Sequence, residues 1–515
     1  MKDALLIFLI ALAAYSLTAG GHLYSPDEEL LYRMTESLAT DGDLAIEPIA
    51  AGFATRRGGD GRQYAQYGVG QPILAIPFYA AGRVMAGWRD DATWRRIYGI
   101  SEDIAPEAPD DPRLLNFSPY DARNIAPRFA CSFYNIFVAA ALAALLFLIL
   151  FELTGHRGAA LLATALYAFG SMAWPHSRPF FSETTAALFG ALACYALLRC
   201  ERGPLIPWAA AAGFSIGFIA LVHLKAVVLW PGLGVLVLTR LHATAFRVGK
   251  VWPARAAFLI PPFLCLVTLL GLNLLHFGGP FETGYSDQPE GVAFDTPLLA
   301  GLHGFLFTPG KGLFFFSPAL ALGLLGWPAM ARRLKLETLA VALLVAIPVL
   351  VMSKWRNWPG GWCWGPRHIF YMHVFLAIPA AFWLAEHWTA ARRIAASAAL
   401  VIGVGVQLLG CSQDFILYHR VFFLGMRPDT LQISPQINFA RVPYDAYDGA
   451  MFEQRFQLRA IPPEGGEPVP VRPQYAPAPI SSSIYYPPHT VWARYPVMWS
   501  ELDLIDNLWV RVMRD

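Results

Sequence analysis

The stretch Tyr24-Ser25-Pro26-Asp27-Glu28-Glu29-Leu30-Leu31-Tyr32 follows the first apolar segment of the chain directly. It is typical of a helix start, with Ser25 as N-cap, Pro26 at the first helical position and Glu28 reaching back to the cap. A helix that begins so firmly holds Asp27 in a fixed direction beside the membrane. Asp27, with Glu28 next to it, is therefore a candidate to accept a proton from an attacking hydroxyl group. A purely structural helix cap explains the same residues, and the two interpretations are compatible.

The composition identifies the class of protein. The chain has 515 residues, of which 56% are hydrophobic and 15% charged, and its mean hydropathy is +0.43. Soluble globular proteins are about 45–50% apolar and about 25% charged, so the composition predicts an all-α polytopic membrane protein. The net charge of +2 gives no electrostatic basis for binding nucleic acid. The six cysteines have neither the spacing of a metal site nor that of a disulfide framework, and we expect no metal and no cofactor.

Apolar segments long enough to approach the length of a spanning helix recur along the chain. A span needs about 20 mostly apolar residues. We predict about eleven spans: 4–21, 127–151, 158–174, 184–199, 206–222, 226–240, 256–276, 313–330, 337–353, 369–387 and 394–411. The first is interpreted as a retained anchor rather than a cleaved signal peptide. Residues 69–86 are interpreted as a helix lying in the membrane interface, because glycines and prolines interrupt them.

Basic residues determine the predicted orientation. With the N-terminus in the cytoplasm, the loops on that side carry the clusters of Arg and Lys, as short cytoplasmic loops do in the plasma (inner) membrane. Residues 1–411 then form the membrane domain, and residues 22–126 its first outer loop with interfacial helices. Residues 412–515 form a small, partly β domain outside, with strands predicted at 452–461, 490–497 and 508–512.

Charged residues at the predicted outer ends of the spans are the other candidates for chemistry. Glu183 opens a span, where an ionisable residue is costly unless it is paired or used; a helix N-cap region is the structural alternative. Positive residues are expected inside, yet five candidates for binding a phosphate recur outside: Arg178, Lys225, Lys311, Arg367 and His368. Each one alone could instead extend to the interface without binding anything.

Aromatic residues are concentrated in the loop that joins the predicted spans 337–353 and 369–387. Trp358, Trp362 and Trp364 lie in this glycine-rich loop, and Tyr24 and Tyr67 lie in the first outer loop. Such residues could form an interfacial belt or pack over a sugar ring or a prenyl chain. We predict that these five contact the sugar or the lipid.

Several of these stretches together resemble the GT-C membrane glycosyltransferases, in particular the protein O-mannosyltransferase and lipid A aminoarabinose transferase group. The similar stretches are 25–32 leading to Asp41-Gly42-Asp43-Leu44, Tyr67-Gly68-Val69-Gly70-Gln71-Pro72, Gly310-Lys311-Gly312-Leu313 and Gly365-Pro366-Arg367-His368. The resemblance covers most of residues 1–390. It implies an inverting transfer of a sugar from a polyprenyl-phosphate donor to an acceptor on the outer face. Asp27 matches the catalytic acidic residue of the family, and Glu183 stands where related members often have Asp.

The sequence-based hypothesis is therefore a membrane glycosyltransferase that acts as a monomer in the lipid bilayer. Its partners would be a polyprenyl-phosphate-linked sugar and a lipid, polysaccharide or protein acceptor. Two alternatives are a lipid-linked sugar flippase and a non-catalytic scaffold that binds an envelope polymer. Neither the sugar, the acceptor nor the length of the lipid is determined by the sequence.

Overall fold

A computed structural model describes residues 1–47, 54–98, 125–286, 293–308, 311–358, 360, 363–412, 459–460, 469–470 and 506–512. The described part of the chain is built of helices, with two short antiparallel strand pairs. The helices are α1 (Lys2–Leu17), α2 (Pro26–Thr40), α3 (Gly70–Met85), α4 (Asp91–Tyr98), α5 (Ile125–Ser132), α6 (Tyr134–Thr154), α7 (Arg157–Ala168), α8 (Ser182–Arg199), α9 (Leu205–Val222), α10 (Trp230–Leu236), α11 (Ala243–Arg247), α12 (Val251–Phe277), α13 (Leu298–Phe307), α14 (Leu313–Phe316), α15 (Gly323–Arg333), α16 (Lys335–Lys354), α17 (His373–Glu386), α18 (Ala390–Cys411) and α19 (Leu508–Val512). The strand pairs are β1 (Thr55–Arg57) with β2 (Gln63–Ala65) and β3 (Arg459–Ala460) with β4 (Val469–Pro470).

Seven helical segments of the described chain are long and apolar enough to cross a membrane, which makes this a multi-pass membrane protein. They are Ile125–Thr154, Leu205–Val222, Leu224–Arg247, Val251–Phe277, Lys335–Lys354, Arg367–Glu386 and Ala390–Cys411. The other four predicted spans contain α1, α7, α8 and α15, which are helical but shorter or less apolar. The total of eleven stays a prediction.

Small residues allow the helices of the bundle to approach closely. A Cβ atom at Gly213 of α9 would lie 2.0 Å from the carbonyl oxygen of Phe258 in α12. A Cβ atom at Gly326 of α15 would lie 1.7 Å from the carbonyl oxygen of Pro379 in α17. Backbones this close need residues without side chains, which is the usual solution for helix pairs in membranes.

One end of the bundle is joined by a continuous set of ion pairs between basic loops and acidic helix ends. The pairs are Arg157–Asp3, Arg199–Glu152, Arg202–Glu152, Arg240–Glu201, Arg240–Glu337, Arg247–Glu201, Arg332–Glu386 and Arg392–Glu386. The His156 ring, 4.9 Å from that of Trp388, connects the α6–α7 and α17–α18 turns at this end. All the basic loops used for the predicted orientation therefore lie at the same end of the molecule.

The described part of residues 22–126, the predicted first outer loop, folds against the opposite end. Helix α3 packs between α2 and α5, and a Cβ atom at Gly82 would lie 2.3 Å from Pro127 Cα. A buried ion cluster holds α2 to α5, with Glu29 accepting hydrogen bonds from Arg128 (2.8 Å) and Arg33 (3.0 Å). Helix α3 has 16 residues and is not among the seven candidate spans. This agrees with an interfacial position, which stays a prediction.

The end of the chain returns to the membrane domain. The backbone of Leu508 donates a hydrogen bond to the Ala19 carbonyl (2.9 Å), and the Trp509 indole donates to the Ser16 carbonyl (2.8 Å). These bonds connect segment 506–512 to carbonyl groups at and just beyond the C-terminal end of α1, where intrahelical donors run out. The strand predicted at 508–512 was wrong, because this segment forms helix α19. The strand predicted at 490–497 lies outside the described residues, and most of the predicted outer domain does too.

Candidate functional site

Asp27 is placed by the start of α2. The Ser25 carbonyl accepts hydrogen bonds from the backbone of Glu28 and Glu29, both at 3.1 Å, and Pro26 occupies the first helical position. Glu28 reaches back as predicted, but it accepts from the Tyr24 N–H at 3.3 Å, one residue before the cap. The serine half of the predicted capping box was wrong, because Ser25 Oγ donates to Glu28 (2.9 Å) and makes no side-chain cap.

The Asp27 carboxylate lies between two donors from distant parts of the chain. Tyr67 Oη donates to Oδ1 at 2.8 Å, and Arg367 Nη1 donates to Oδ2 at 3.0 Å. Arg367 comes from the loop before α17, 340 positions away in sequence. A carboxylate with one donor on each oxygen retains free lone pairs, so it can still accept a proton from a third group.

Glu183 is the second carboxylate at this place. Its Oε1 lies 3.4 Å from Arg367 Nε, close enough for charge pairing although the atoms lack hydrogen-bond geometry. The Arg367 guanidinium also stacks over the Phe181 ring, with its carbon 4.4 Å from the ring centre. Because the guanidinium is planar and held on three sides, it fixes the separation and direction of the two carboxylates.

Three further basic side chains surround this carboxylate pair. Lys225 lies within electrostatic range of Asp27, Glu183 and Arg367, and its Nζ is 4.1 Å from the centre of the Trp355 ring. His223 and His368 are buried beside it. Within the described part of the chain, both ring nitrogens of His368 and Nε2 of His223 lack hydrogen-bond partners. Buried polar atoms are normally paired, so this cluster has capacity to bind a polar ligand.

A cavity of about 440 Å³ adjoins the cluster. Tyr67, His223 and Lys225 line it on the side of Asp27. Its remaining wall includes the apolar residues Leu44, Leu221, Leu269, Leu272 and Phe277, together with polar residues of the loop after α12. The cavity thus has a charged end and an apolar wall. Such a cavity suits a ligand with an anionic head and a hydrocarbon chain.

Glu28, a predicted catalytic residue, does not line this cavity and joins the loop before α2 to the loop before α8. It is 0% exposed, and its carboxyl group accepts hydrogen bonds from Phe180 N (2.7 Å), Ser25 Oγ and Tyr24 N. Burial raises the pKa of Glu28 to about 8, although these three hydrogen bonds act in the opposite direction. The structure therefore gives Glu28 a supporting position behind Asp27.

Two predicted phosphate-binding residues are engaged elsewhere. Arg178 forms a buried ion pair with Asp506 of the returning chain end and also donates to the Gly410 carbonyl at 3.2 Å. Lys311 is 1% exposed, and its Nζ donates to the Cys363 carbonyl at 2.8 Å. Burial lowers the pKa of Lys311. Both cations therefore hold loops together. Lys311 lies within electrostatic range of Arg367 and His368, and the phosphate-binding role of both cations stays a prediction.

Of the four predicted aromatic residues that the structure describes, only Tyr67 touches the carboxylate pair. Tyr24 packs on His22, with ring centres 4.4 Å apart, close to the docked chain end. Trp358 packs against Phe305 and Trp364 against Phe316, both in the core. Tryptophan rings are large enough to fill the bundle, which explains why these two face inward. Trp362 lies outside the described residues.

Sequence reasoning missed His223, Trp355 and Asp506 as parts of the site and its support. His223 stands two residues before Lys225 in a short turn between apolar segments, a signal that could have identified it. Asp506 is far from every motif, and nothing in the sequence connects it with Arg178. No group of three or more potential metal ligands occurs in the described part of the chain, and the metal-free site stays a prediction.

Comparison with known proteins gives matches to solved structures. No protein-family model matches the chain, and no curated protein sequence does. ArnT from Cupriavidus metallidurans bound to undecaprenyl phosphate matches with a TM-score of 0.50 at 12% identity, over 87% of this chain and 68% of ArnT. The oligosaccharyltransferase AglB from Archaeoglobus fulgidus, in complex with an inhibitory peptide and a dolichol-phosphate, matches at 0.46 and 11% identity, over 98% and 64% of the two chains. From the match to ArnT, the described chain has a GT-C-like membrane fold.

Proposed function

We propose that this protein transfers a sugar from a polyprenyl-phosphate donor to an acceptor at the outer face of the plasma membrane. The observation that carries the proposal is the pair of carboxylates, Asp27 and Glu183, bridged by Arg367. This pair adjoins, through Tyr67 and Lys225, a cavity with an apolar wall. The ArnT structure described above is bound to undecaprenyl phosphate, which supports this class of donor.

The donor is expected in the cavity. Helix α12, which contributes the apolar wall, turns most of its other side chains outward; Leu275, for example, is 74% exposed. In a membrane such a surface faces lipid, so a lipid-borne donor can reach the cavity sideways from the bilayer. Its phosphate would lie at Lys225 and Arg367 with His368 behind, and its hydrocarbon chain along Leu269 and Leu272. Arg supplies directed hydrogen bonds to phosphate, and Lys supplies a compact charge.

The reaction that this arrangement supports is an inverting displacement. An acceptor hydroxyl attacks the anomeric carbon, the new carbon–oxygen bond forms, and the bond to the phosphate oxygen breaks. Asp27 accepts the hydroxyl proton and later releases it to water. The phosphate leaves with an additional negative charge, which Arg367 and Lys225 are already positioned to stabilise. Glu183 acts as a positioning residue, because it holds Arg367.

The orientation follows from the ion-paired end of the bundle. Basic loops remain cytoplasmic, so that end and the N-terminus would face the cytoplasm. Asp27, the cavity and the docked segment 506–512 would then face the outside, where no nucleotide sugar is present and a lipid-linked donor is required. We expect the protein to act as a monomer without a cofactor.

The proposal is tested by transfer of radiolabelled sugar in purified membranes from a panel of polyprenyl-phosphate sugars. Wild type should transfer from at least one donor, and Asp27→Asn should abolish transfer while still binding the donor. Asp41→Asn, which changes an exposed carboxylate at the other end of α2, is the matched control and should behave as wild type. Equal transfer by Asp27→Asn and wild type, or none by wild type with any donor, would contradict the proposal.

A further inference from the structure

His223 lines the cavity, and its ring is held by the side chain of Ser182 in α8. It lies in the turn between the spans Leu205–Val222 and Leu224–Arg247 and is 9% exposed. Its Nδ1 is 2.9 Å from Ser182 Oγ. Its other ring nitrogen, Nε2, has no hydrogen-bond partner within the described part of the chain. The residue lines the same cavity as Lys225.

We propose that His223 is a further binding residue for the lipid-linked donor: Ser182 holds it as a neutral imidazole whose Nε2–H donates a hydrogen bond to a phosphate oxygen. The inference rests on the proposed function, because it assumes a phosphate at the charged end of the cavity. It adds a role that neither the family resemblance nor the matches to solved structures assign.

The contact with Ser182 determines which ring nitrogen carries the hydrogen. Ser182 is buried, and within the described chain its hydroxyl has His223 Nδ1 as its hydrogen-bond partner. If Nδ1 carried the hydrogen, the serine hydrogen would be left buried without an acceptor, which costs more than an unused oxygen lone pair. The serine therefore donates to Nδ1. The hydrogen of the neutral ring is then on Nε2, the free atom.

The surroundings keep this ring neutral. Burial lowers the pKa of His223 well below its usual value, and the charges of Lys225 and Arg367 act in the same direction. Asp27 acts in the opposite direction but is itself paired with Arg367. Two further titratable groups of the described chain lie near His223. His368 is buried among the same cations, and the ring centre of the buried Tyr371 is 6.2 Å from that of His223. The neutral His223 ring therefore adds a hydrogen bond to the phosphate without adding a positive charge that would compete for Asp27.

A hydrogen bond to the leaving phosphate is stronger when the phosphate has gained charge. It should therefore contribute to kcat as well as to donor binding. A hydrogen bond to a charged group contributes about 1.5–3 kcal/mol, which corresponds to roughly a 10- to 150-fold change. His223→Phe should lower kcat/KM for the donor by about this factor.

The test compares three variants of the full chain in lipid nanodiscs. His223→Gln retains an N–H donor near the position of Nε2 and should keep most of the wild-type kcat/KM. His223→Phe fills the same space without a donor and should show the full loss. Ser182→Ala frees the ring and should lie between them. As the control for folding, the thermal unfolding temperature of each variant should equal that of wild type.

Two readouts separate this inference from the proposed function. Binding of unglycosylated polyprenyl phosphate is measured alongside transfer, so the inference is tested even if no donor sugar is accepted. With a phosphodiester donor, which has no pKa near neutrality, wild type and His223→Gln should share one pH profile of kcat/KM between pH 5.5 and about 8.

Three results would overturn the role of His223. These are equal polyprenyl-phosphate binding and transfer by His223→Phe and wild type, equal loss in His223→Gln and His223→Phe, and a wild-type profile that falls with pH in a way that His223→Gln removes. The last would mean that the imidazolium is the binding form. Binding of the lipid phosphate by wild type without transfer from any donor would contradict the proposed function and leave the His223 comparison intact.

Discussion

Glu28 and Glu29 are neighbours in α2, both 0% exposed, yet the structure predicts opposite responses to neutralisation. Glu28 has only neutral hydrogen-bond donors around it, and burial raises its pKa from 4.5 to about 8. Glu29 is paired with Arg128 and Arg33. Burial alone would raise the pKa of Glu29, but the two guanidinium groups lower it.

The expected magnitude for Glu28 follows from linkage. Between pH 4.5 and 8 the folded protein keeps the Glu28 proton, whereas the unfolded chain has lost it. Raising the pH through this window therefore favours the unfolded state, by about 1.4 kcal/mol for each pH unit. The free energy of unfolding of Glu28→Gln, minus that of wild type at the same pH, should therefore rise by about 3 kcal/mol from pH 5 to pH 7. The glutamine matches the protonated acid, because its oxygen can accept from Phe180 N and its amide can donate to Ser25 Oγ.

Glu29→Gln is the matched control, because it is the same substitution one position further along the helix. It removes the carboxylate charge that pairs with the buried Arg128 guanidinium, which costs about 3–5 kcal/mol. The loss of unfolding free energy in Glu29→Gln should be present at pH 7. It should shrink as the pH falls below 4.5, since wild type then loses the charged carboxylate too.

The assay is unfolding in mixed micelles with increasing SDS, followed by tryptophan fluorescence at pH 5, 6, 7 and 8. Free energies of unfolding of wild type and each variant are compared at the same pH, so that other titrating groups cancel. A stability difference for Glu28→Gln that does not change with pH would refute the reasoning. So would a loss at pH 7 equal to that of Glu29→Gln.

Three further predictions concern the packing and orientation of the chain. Asp506→Ala should cost about 3–5 kcal/mol, because it removes the carboxylate that forms an ion pair with the buried Arg178 guanidinium. The loss is measured as a lower temperature at which a thiol-reactive dye labels the buried cysteines, and an unchanged temperature would mean that segment 506–512 does not stabilise the protein. Gly326→Ala should destabilise the protein by about 1–3 kcal/mol, because the added Cβ would meet the Pro379 carbonyl. Gly271→Ala, where the added Cβ meets no atom, should be neutral or stabilising. Equal effects of the two substitutions would contradict the close contact at Gly326. A cysteine at Asp41 should react with a membrane-impermeant reagent from outside intact cells and one at Lys250 only after permeabilisation, and the reverse pattern would invert the proposed orientation.

Residues near one another in sequence determined a large part of this protein. Long apolar runs predict spanning helices wherever they occur, because a helix satisfies its own backbone in lipid. Basic loops predict that alternate turns lie on one side, and the ion pairs from Asp3 to Glu386 lie together at one end of the bundle. The motif at Ser25 and Pro26 located the start of α2 and with it the direction of Asp27.

Only the tertiary structure decided which charged residues meet. Asp27 and Glu28 are adjacent, but a helix turns by 100° for each residue, so one faces Arg367 and the other is buried against Phe180. Five basic residues appeared equivalent in sequence. The packing of the helices brings Lys225 and Arg367 to the carboxylates, with His368 beside these two cations. It directs Arg178 and Lys311 into loop contacts. Such contacts join positions hundreds of residues apart, and local periodicity and charge carry no information about them.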